Sequence, residues 1–252
     1  MLTDIQKHEF ETFGFLIVKN LIEMPKMRQF IDAFDDTMTK GNGGEPWPDD
    51  PICNQVIPFY EFNPEIYHQL LDHEKLNEVL EDLLGKDYVF LCSEGIHFFG
   101  GSRWHHDDIA PEGQTHLKTV FFLNPVRSTT GCLRVLPCTH FPPMRERMED
   151  WYERQGEWDS NPWPAGIALE SDPGDAVIFN VKAYHAAFTE GAQRRGIYVN
   201  YIQNPKTPEQ EEYITETYRR HHPLYTSSLF EDASPQRMRM LSFLKETCYD
   251  PV

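Results

Sequence analysis

Trp104-His105-His106-Asp107-Asp108 is the stretch from which the rest of this chain is read. It contains a histidine and a carboxylate separated by one residue. On a β-strand, residues i and i+2 point to the same face. His105 and Asp107 can therefore aim one imidazole and one carboxylate at a common point, and so can His106 and Asp108. Adjacent residues face opposite ways, so only one of the two pairs can face inward. A second imidazole from a neighbouring strand would complete a two-histidine, one-carboxylate facial triad. Such a triad leaves coordination positions open on a non-haem Fe(II) and predicts an oxygenase. The candidate for that imidazole is His185, in Ala183-Tyr184-His185-Ala186-Ala187.

The surroundings read as a row of short strands: 88–92, 96–99, 117–123, 132–136, 175–179 and 196–201. Turn signals of Gly, Pro, Asn and Asp separate them. A row of this kind predicts a sandwich or barrel. Before it, the spacing of Ile5, Phe10 and Phe13 predicts a helix over 4–13, with Thr3 as N-cap and Gly14 as terminator. Residues 15–18 read as a buried strand. Helices are expected over 24–39 and 74–85, the latter ending at Gly85. Residues 40–58, with Pro46, Pro48, Pro51 and Pro58, read as a long loop. A charged helical insertion is expected over 143–158, and helical patterns return after 207, interrupted at His221-His222-Pro223. The expectation is one domain over 1–252: a mostly helical part (1–86), a β core (87–204) and a helical C-terminal part (205–252).

Composition narrows the function classes. The chain has 252 residues, 40% hydrophobic and 25% charged, an ordinary globular balance. The 19 prolines and 17 phenylalanines suggest many turns and an aromatic-rich core. A formal net charge of −17 repels nucleic acid and anionic membranes. The expected partner is thus a small-molecule substrate, with no nucleic acid and no membrane. No run approaches the roughly 18 apolar residues of a membrane span. Met1-Leu2-Thr3-Asp4 does not open a basic-then-apolar segment, so no signal peptide is expected. The 5 cysteines form no Cys-x-x-Cys pair, which fits reduced thiols and a cytoplasmic location.

One further group carries chemistry. Arg194-Arg195 opens the last core strand, and either guanidinium could make a bidentate contact with a carboxylate at a barrel mouth. His140, beside Pro142-Pro143, and the pair His221-His222 read as structural or solvated.

Several segments, taken in order, resemble the phytanoyl-CoA dioxygenase family of Fe(II)/2-oxoglutarate-dependent oxygenases. Trp104-His105-His106-Asp107 is similar to that family's Trp-His-x-Asp. Gly131 to His140 resembles its Gly-x-Leu-x-x-x-Pro-Gly-Ser/Thr-His segment, with Cys138 in place of the usual glycine. Pro173 to Phe179, followed by Tyr184-His185, resembles the distal-histidine segment. The match covers most of residues 4–204. It implies a double-stranded β-helix (jelly-roll, cupin-like) core, mainly β with flanking helices. It implies His105, Asp107 and His185 as Fe(II) ligands and as the catalytic set, leaving His106 and Asp108 outside. It implies 2-oxoglutarate and O₂ as co-substrates, with succinate and CO₂ released. The alignment of Ile197 favours Arg194 as the residue gripping 2-oxoglutarate.

The expected reaction is oxidation, foremost hydroxylation, of an unactivated C–H bond of a small metabolite. Related halogenases carry a small residue in place of the carboxylate, whereas Asp107 is present here. Phe98, Trp104 and Tyr184 are the candidate substrate residues, by adjacency to the ligands. The insertion at 143–170 and the tail after 205 are candidates for the substrate entrance. Two other readings stand beside this one: a metal-dependent hydrolase using the His-His-Asp-Asp cluster, and a jelly roll that only binds a ligand.

Overall fold

A computed structural model describes residues 1–45, 47, 53–107, 110–155, 166–188, 193–221 and 227–248. The expected helices over 4–13, 24–39 and 74–85 are α1 (Asp4–Phe13), α2 (Met24–Gly41) and α4 (Glu74–Leu84). Local chemistry sets their ends. Thr3 caps α1 by accepting from the Gln6 amide at 3.3 Å, while Gln6 returns a bond to the Thr3 amide at 2.9 Å. Gly14 then ends α1 in the left-handed region at φ 82°, where a Cβ would be strained. The chain passes directly into β1 (Phe15–Val18).

Two expectations fail in the segment that follows. The long loop over 40–58 contains a strand, β2 (Cys53–Val56), paired with β3 (Val89–Phe98). Its Cys-Asn-Gln-Val sequence has no β-branched run, and the neighbouring prolines mask it. Pro46, Pro48 and Pro51 lie outside the described residues. A helix not read from the sequence, α3 (Pro64–Leu71), packs against α2 and α4. The strands expected over 88–92 and 96–99 are one continuous strand, β3, because Ser93-Glu94-Gly95 is paired rather than turned. Gly95 lies under Phe59, where an added Cβ would come within 2.2 Å of the ring.

Two antiparallel sheets follow. The larger has six strands in the order β1-β8-β5-β10-β3-β2. Its members beyond β1–β3 are β5 (His116–Phe122), β8 (Ala176–Asn180) and β10 (Arg194–Ile202). The smaller has four strands in the order β4-β9-β6-β7, namely β4 (Ser102–His105), β6 (Arg134–Val135), β7 (Ile167–Ala168) and β9 (His185–Ala187). The insertion forms α5 (Pro142–Gln155), and the C-terminal part forms α6 (Pro208–His221) and α7 (Pro235–Thr247). His222 and Pro223 lie outside the described residues.

Strand alternation sorts the core into two sides. Leu117, Phe121, Ile197, Val199 and Tyr201 face the helices, in one cluster with Phe30, Phe34, Phe59, Tyr60 and Tyr67. Val120, Phe122, Val177, Phe179 and Tyr198 face the other way, in a cluster with Leu133, Val135 and Leu169 of the smaller-sheet side. The site lies among residues of this second face. Among the described residues, no helix is long and apolar enough to cross a membrane.

Cys138 keeps the conformation a glycine would adopt. Its φ is 65°, and its amide donates to Phe13 O at 3.1 Å, tying the turn to α1. His140 is structural, as read: its Nε2 lies 3.1 Å from Glu11 O. A left-handed non-glycine residue costs about 1–2 kcal/mol, against about 0.5–1 kcal/mol for glycine's extra backbone entropy. Cys138→Gly is therefore expected to leave thermal stability unchanged or raise Tm by a few degrees. Cys138→Val is expected to lower it. A clear loss of stability in Cys138→Gly, measured by thermal unfolding, would contradict this account of the turn.

Candidate active site

β4 and β9 pair antiparallel with His105 directly opposite His185. The two imidazole centroids are 4.3 Å apart. Asp107 lies just beyond the end of β4, its amide donating to Val181 O at 2.9 Å. Asp107 Oδ1 is 3.9 Å from His105 Nε2 and 3.8 Å from His185 Nε2. One ligand atom from each of the three residues falls within 4.8 Å of the others.

The hydrogen bonds fix the tautomers. His105 Nδ1 lies 2.7 Å from Arg103 O, and His185 Nδ1 lies 2.9 Å from Ala183 O. A carbonyl can only accept, so each Nδ1 carries the proton and each Nε2 keeps its lone pair. This is the tautomer and orientation a metal-binding histidine needs. Burial pushes the His185 imidazole down to about 4, so it is neutral at physiological pH.

Lys118 on β5 was not read from the sequence, yet it organises the site. Its Nζ is 2.9 Å from Asp107 Oδ2 and 3.4 Å from Glu94 Oε1. Burial is the largest single influence on the Asp107 carboxyl and raises it, but the charge and hydrogen bond of Lys118, together with the neighbouring imidazoles, hold it well below its usual range. Glu94 on β3 was missed as well. Its Oε1 accepts from Asn200 Nδ2 at 2.8 Å and its Oε2 from Gln55 Nε2 at 2.9 Å. The available signal was a lone charge in the otherwise uncharged Leu117–Leu123 run, since a charge there must find a partner or leave the strand.

Removing Lys118 would leave two carboxylates close together with no cation. Lys118→Met is expected to destabilise the metal-free protein by about 3–5 kcal/mol, the cost of stranding a buried charge. A divalent cation is expected to restore much of that loss, so the added metal should raise Tm more in Lys118→Met than in wild type. Equal metal-induced shifts, read by thermal unfolding with and without Ni(II), would contradict this role.

Arg194 and Arg195 separate cleanly. Arg195 turns toward α2 and pairs with Asp35 at 3.1 Å. Arg194 points to the inner face, only 3% exposed, and its guanidinium lies 4.8 Å from the Phe98 ring centroid. Arg194 Nη2 donates to Gly100 O at 3.2 Å, while the buried Nη1 has no hydrogen-bond partner. A cavity of about 220 Å³ joins this guanidinium to His105, Asp107 and His185, with Phe98, Phe122 and Leu133 among its walls. A buried cationic donor at the end of an apolar-walled cavity fits a carboxylate.

Of the three candidate substrate residues, only Phe98 lines this cavity. Trp104 and Tyr184 pack with Leu136 and Ala186 in a separate cluster that Met148 of α5 covers. Parity is the reason: Trp104 and Tyr184 each precede an inward histidine and so face outward. His106 also turns away, edge-on to Tyr184 and 3.7 Å from Glu149 of α5. That orientation takes one ligand from the two-metal hydrolase reading; Asp108 lies outside the described residues.

The sequence matches the phytanoyl-CoA dioxygenase (PhyH) family over residues 10–197, and the chain belongs to that family. It is accordingly a non-haem dioxygenase that uses Fe(II), 2-oxoglutarate and O₂. Among solved structures it resembles HygX from Streptomyces hygroscopicus with nickel and 2-oxoglutarate bound. That likeness has 17% identity over 82% of this chain and 89% of HygX, with a TM-score of 0.63. It also resembles the non-haem, α-ketoglutarate-dependent epimerase SnoN from nogalamycin biosynthesis, at 14% identity over 84% of this chain and 88% of SnoN, TM-score 0.61. The resemblance to EvdMO1 has 18% identity and a TM-score of 0.60 over 80% of this chain, and spans 50% of that longer protein. A search of curated proteins finds no match.

Proposed function

We propose that this chain is a single-domain, double-stranded β-helix oxygenase that hydroxylates an unactivated C–H bond of a small metabolite. His105, Asp107 and His185 hold Fe(II), and Arg194 grips the far carboxylate of 2-oxoglutarate. The observation that carries the reading is the pair of Nε2 lone pairs and the Asp107 carboxylate gathered within 4.8 Å, joined by one cavity to the unsatisfied Arg194 Nη1.

Each residue's task follows from its position. The Arg103 and Ala183 carbonyls hold the two imidazoles as Nδ1–H tautomers. Lys118 keeps Asp107 ionised and fixes its rotamer. Arg194 orients the co-substrate along the apolar wall of Phe98 and Phe122, which excludes water. The iron, when bound, supplies O₂ activation and the oxidation itself, coupled to decarboxylation of 2-oxoglutarate to succinate and CO₂. Asp107 fills the position that a halogenase would leave to chloride, which favours hydroxylation. Epimerisation, the activity named for SnoN, is the main competing outcome.

Uncoupled turnover tests the reading without knowledge of the substrate. Under ¹⁸O₂, wild-type protein with Fe(II) and 2-oxoglutarate is expected to release succinate carrying one ¹⁸O atom. Unlabelled succinate, or none from iron-loaded protein, would contradict it. Once a substrate is in hand, a product one oxygen heavier distinguishes hydroxylation from epimerisation, which leaves the mass unchanged.

A further inference from the structure

The cavity at Arg194 does not end at the metal-binding group. Past Asp107 it meets a second cavity of about 490 Å³, and Gln55, Glu94, Asp107 and Lys118 line both. The two differ in character. The first has the apolar walls described above. The second is polar: Asn200 and His116 of the larger sheet and Thr217 of α6 stand around Glu94 and Lys118. The tail after 205 thus forms one wall, with Tyr213 of α6 locking His116 through a 3.0 Å contact between its hydroxyl and Nδ1.

With the Asp107 carboxylate assigned to the metal, Glu94 and Lys118 remain in the interior as one matched pair. Lys118 faces both Asp107 and Glu94. Arg220 and His221 stand at the α6 end, Arg220 being exposed to solvent. An ionised substrate group entering the interior would lose hydration without meeting an unmatched counter-charge.

Hydrogen-bonding capacity is what remains. A carboxylate offers about four acceptor sites and an ammonium three donors. Glu94 receives one short bond at each oxygen, and Lys118 engages two carboxylates. Thr217 is 2% exposed, and its Oγ1 has no hydrogen-bond partner. An alkyl chain here would strand each such group at a cost of about 1–3 kcal/mol. A ligand bearing several hydroxyls, each both donor and acceptor, satisfies all of them.

We propose that the substrate is a neutral, polyhydroxylated molecule seated in this compartment, with Glu94 and Lys118 reading the hydroxyls nearest the reacting carbon and Thr217 one further out. This inference rests on the oxygenase reading above.

The test is saturation-transfer NMR on protein loaded with Zn(II) and 2-oxoglutarate. The probes are methyl α-glucoside and myo-inositol, their charged counterparts glucuronate and glucosamine, and octanoyl-CoA for an acyl chain. Saturation transfer to the neutral probes is expected, with dissociation constants at least tenfold weaker in both Glu94→Gln and Thr217→Val. Thr217→Val keeps the side chain's shape, so it remains informative if Glu94→Gln folds poorly. Preference for a charged or acyl probe, no binding of either neutral probe, or neutral binding unchanged in the variants would overturn the inference. The Fe(II)–2-oxoglutarate absorption band, recorded anaerobically on the same protein loaded with Fe(II) in place of Zn(II), separates the two failures. A band without polyol binding overturns this inference alone, whereas no band overturns the oxygenase reading beneath it.

Discussion

Arg194→Ala is expected to weaken 2-oxoglutarate binding by about 10²- to 10³-fold. Leaving a buried carboxylate without its cation costs about 3–5 kcal/mol, and each 1.4 kcal/mol is tenfold in affinity. Arg194 is 3% exposed and its Nη1 has no partner, so the bond it would make to a carboxylate replaces none within the protein. Arg194→Lys restores the charge but not the two-pronged geometry, and should recover only part of the loss. Arg195→Ala should change the affinity less than twofold or so, since Arg195 serves Asp35 on the helix side. Calorimetric titration of 2-oxoglutarate into the nickel-loaded proteins measures all three. An Arg195→Ala defect as large as that of Arg194→Ala would contradict the assignment of Arg194 to the site-facing side of β10.

Asp107→Ala is expected to abolish turnover and to lower metal affinity by more than about a hundredfold. Loss of a residue that merely orients a metal ligand already costs about 10- to 100-fold. The fold should survive, because Lys118 keeps Glu94 as a counter-ion at 3.4 Å. This asymmetry is specific to the site: removing the acid leaves one balanced pair, whereas removing Lys118 leaves two acids and no base. Metal content after dialysis and succinate release report the first effect, and the unfolding midpoint reports the second. An Asp107→Ala protein that bound iron as tightly as wild type would place the ion elsewhere.

Much of this arrangement is legible in the sequence because it depends on alternation. His105 and Asp107 share a parity, and the opposing His185 comes from a strand whose apolar approach, Asp175 to Phe179, is equally plain. Alternation cannot choose between neighbours. His105 against His106, and Arg194 against Arg195, were separated first by family resemblance. In the structure the difference is where each strand's other face goes: onto α5 for His106 and onto α2 for Arg195.

The parts that stayed hidden share a cause. Lys118 and Glu94 are charged residues at inward strand positions, and each is tolerable only because the other, with Asp107, lies beside it. That proximity spans β3, β5 and the end of β4, and no local pattern records it. The strand Cys53–Val56 and the unbroken β3 were hidden by the same kind of dependence. A polar four-residue strand and a Ser-Glu-Gly strand centre become strands through their partners, not through their own propensities. Trp104 and Tyr184 show the converse error: adjacency in sequence to a ligand places a side chain on the opposite face.

The central claim is that His105, Asp107 and His185 together chelate iron that also binds 2-oxoglutarate. Its most direct test is an anaerobic titration of Fe(II) and 2-oxoglutarate, followed by the weak visible metal-to-ligand charge-transfer band, in wild type and in His185→Ala. A band in wild type that is lost in His185→Ala is the predicted result. A folded, metal-loaded wild type with no band, or an undiminished band in His185→Ala, would contradict the assignment of the triad.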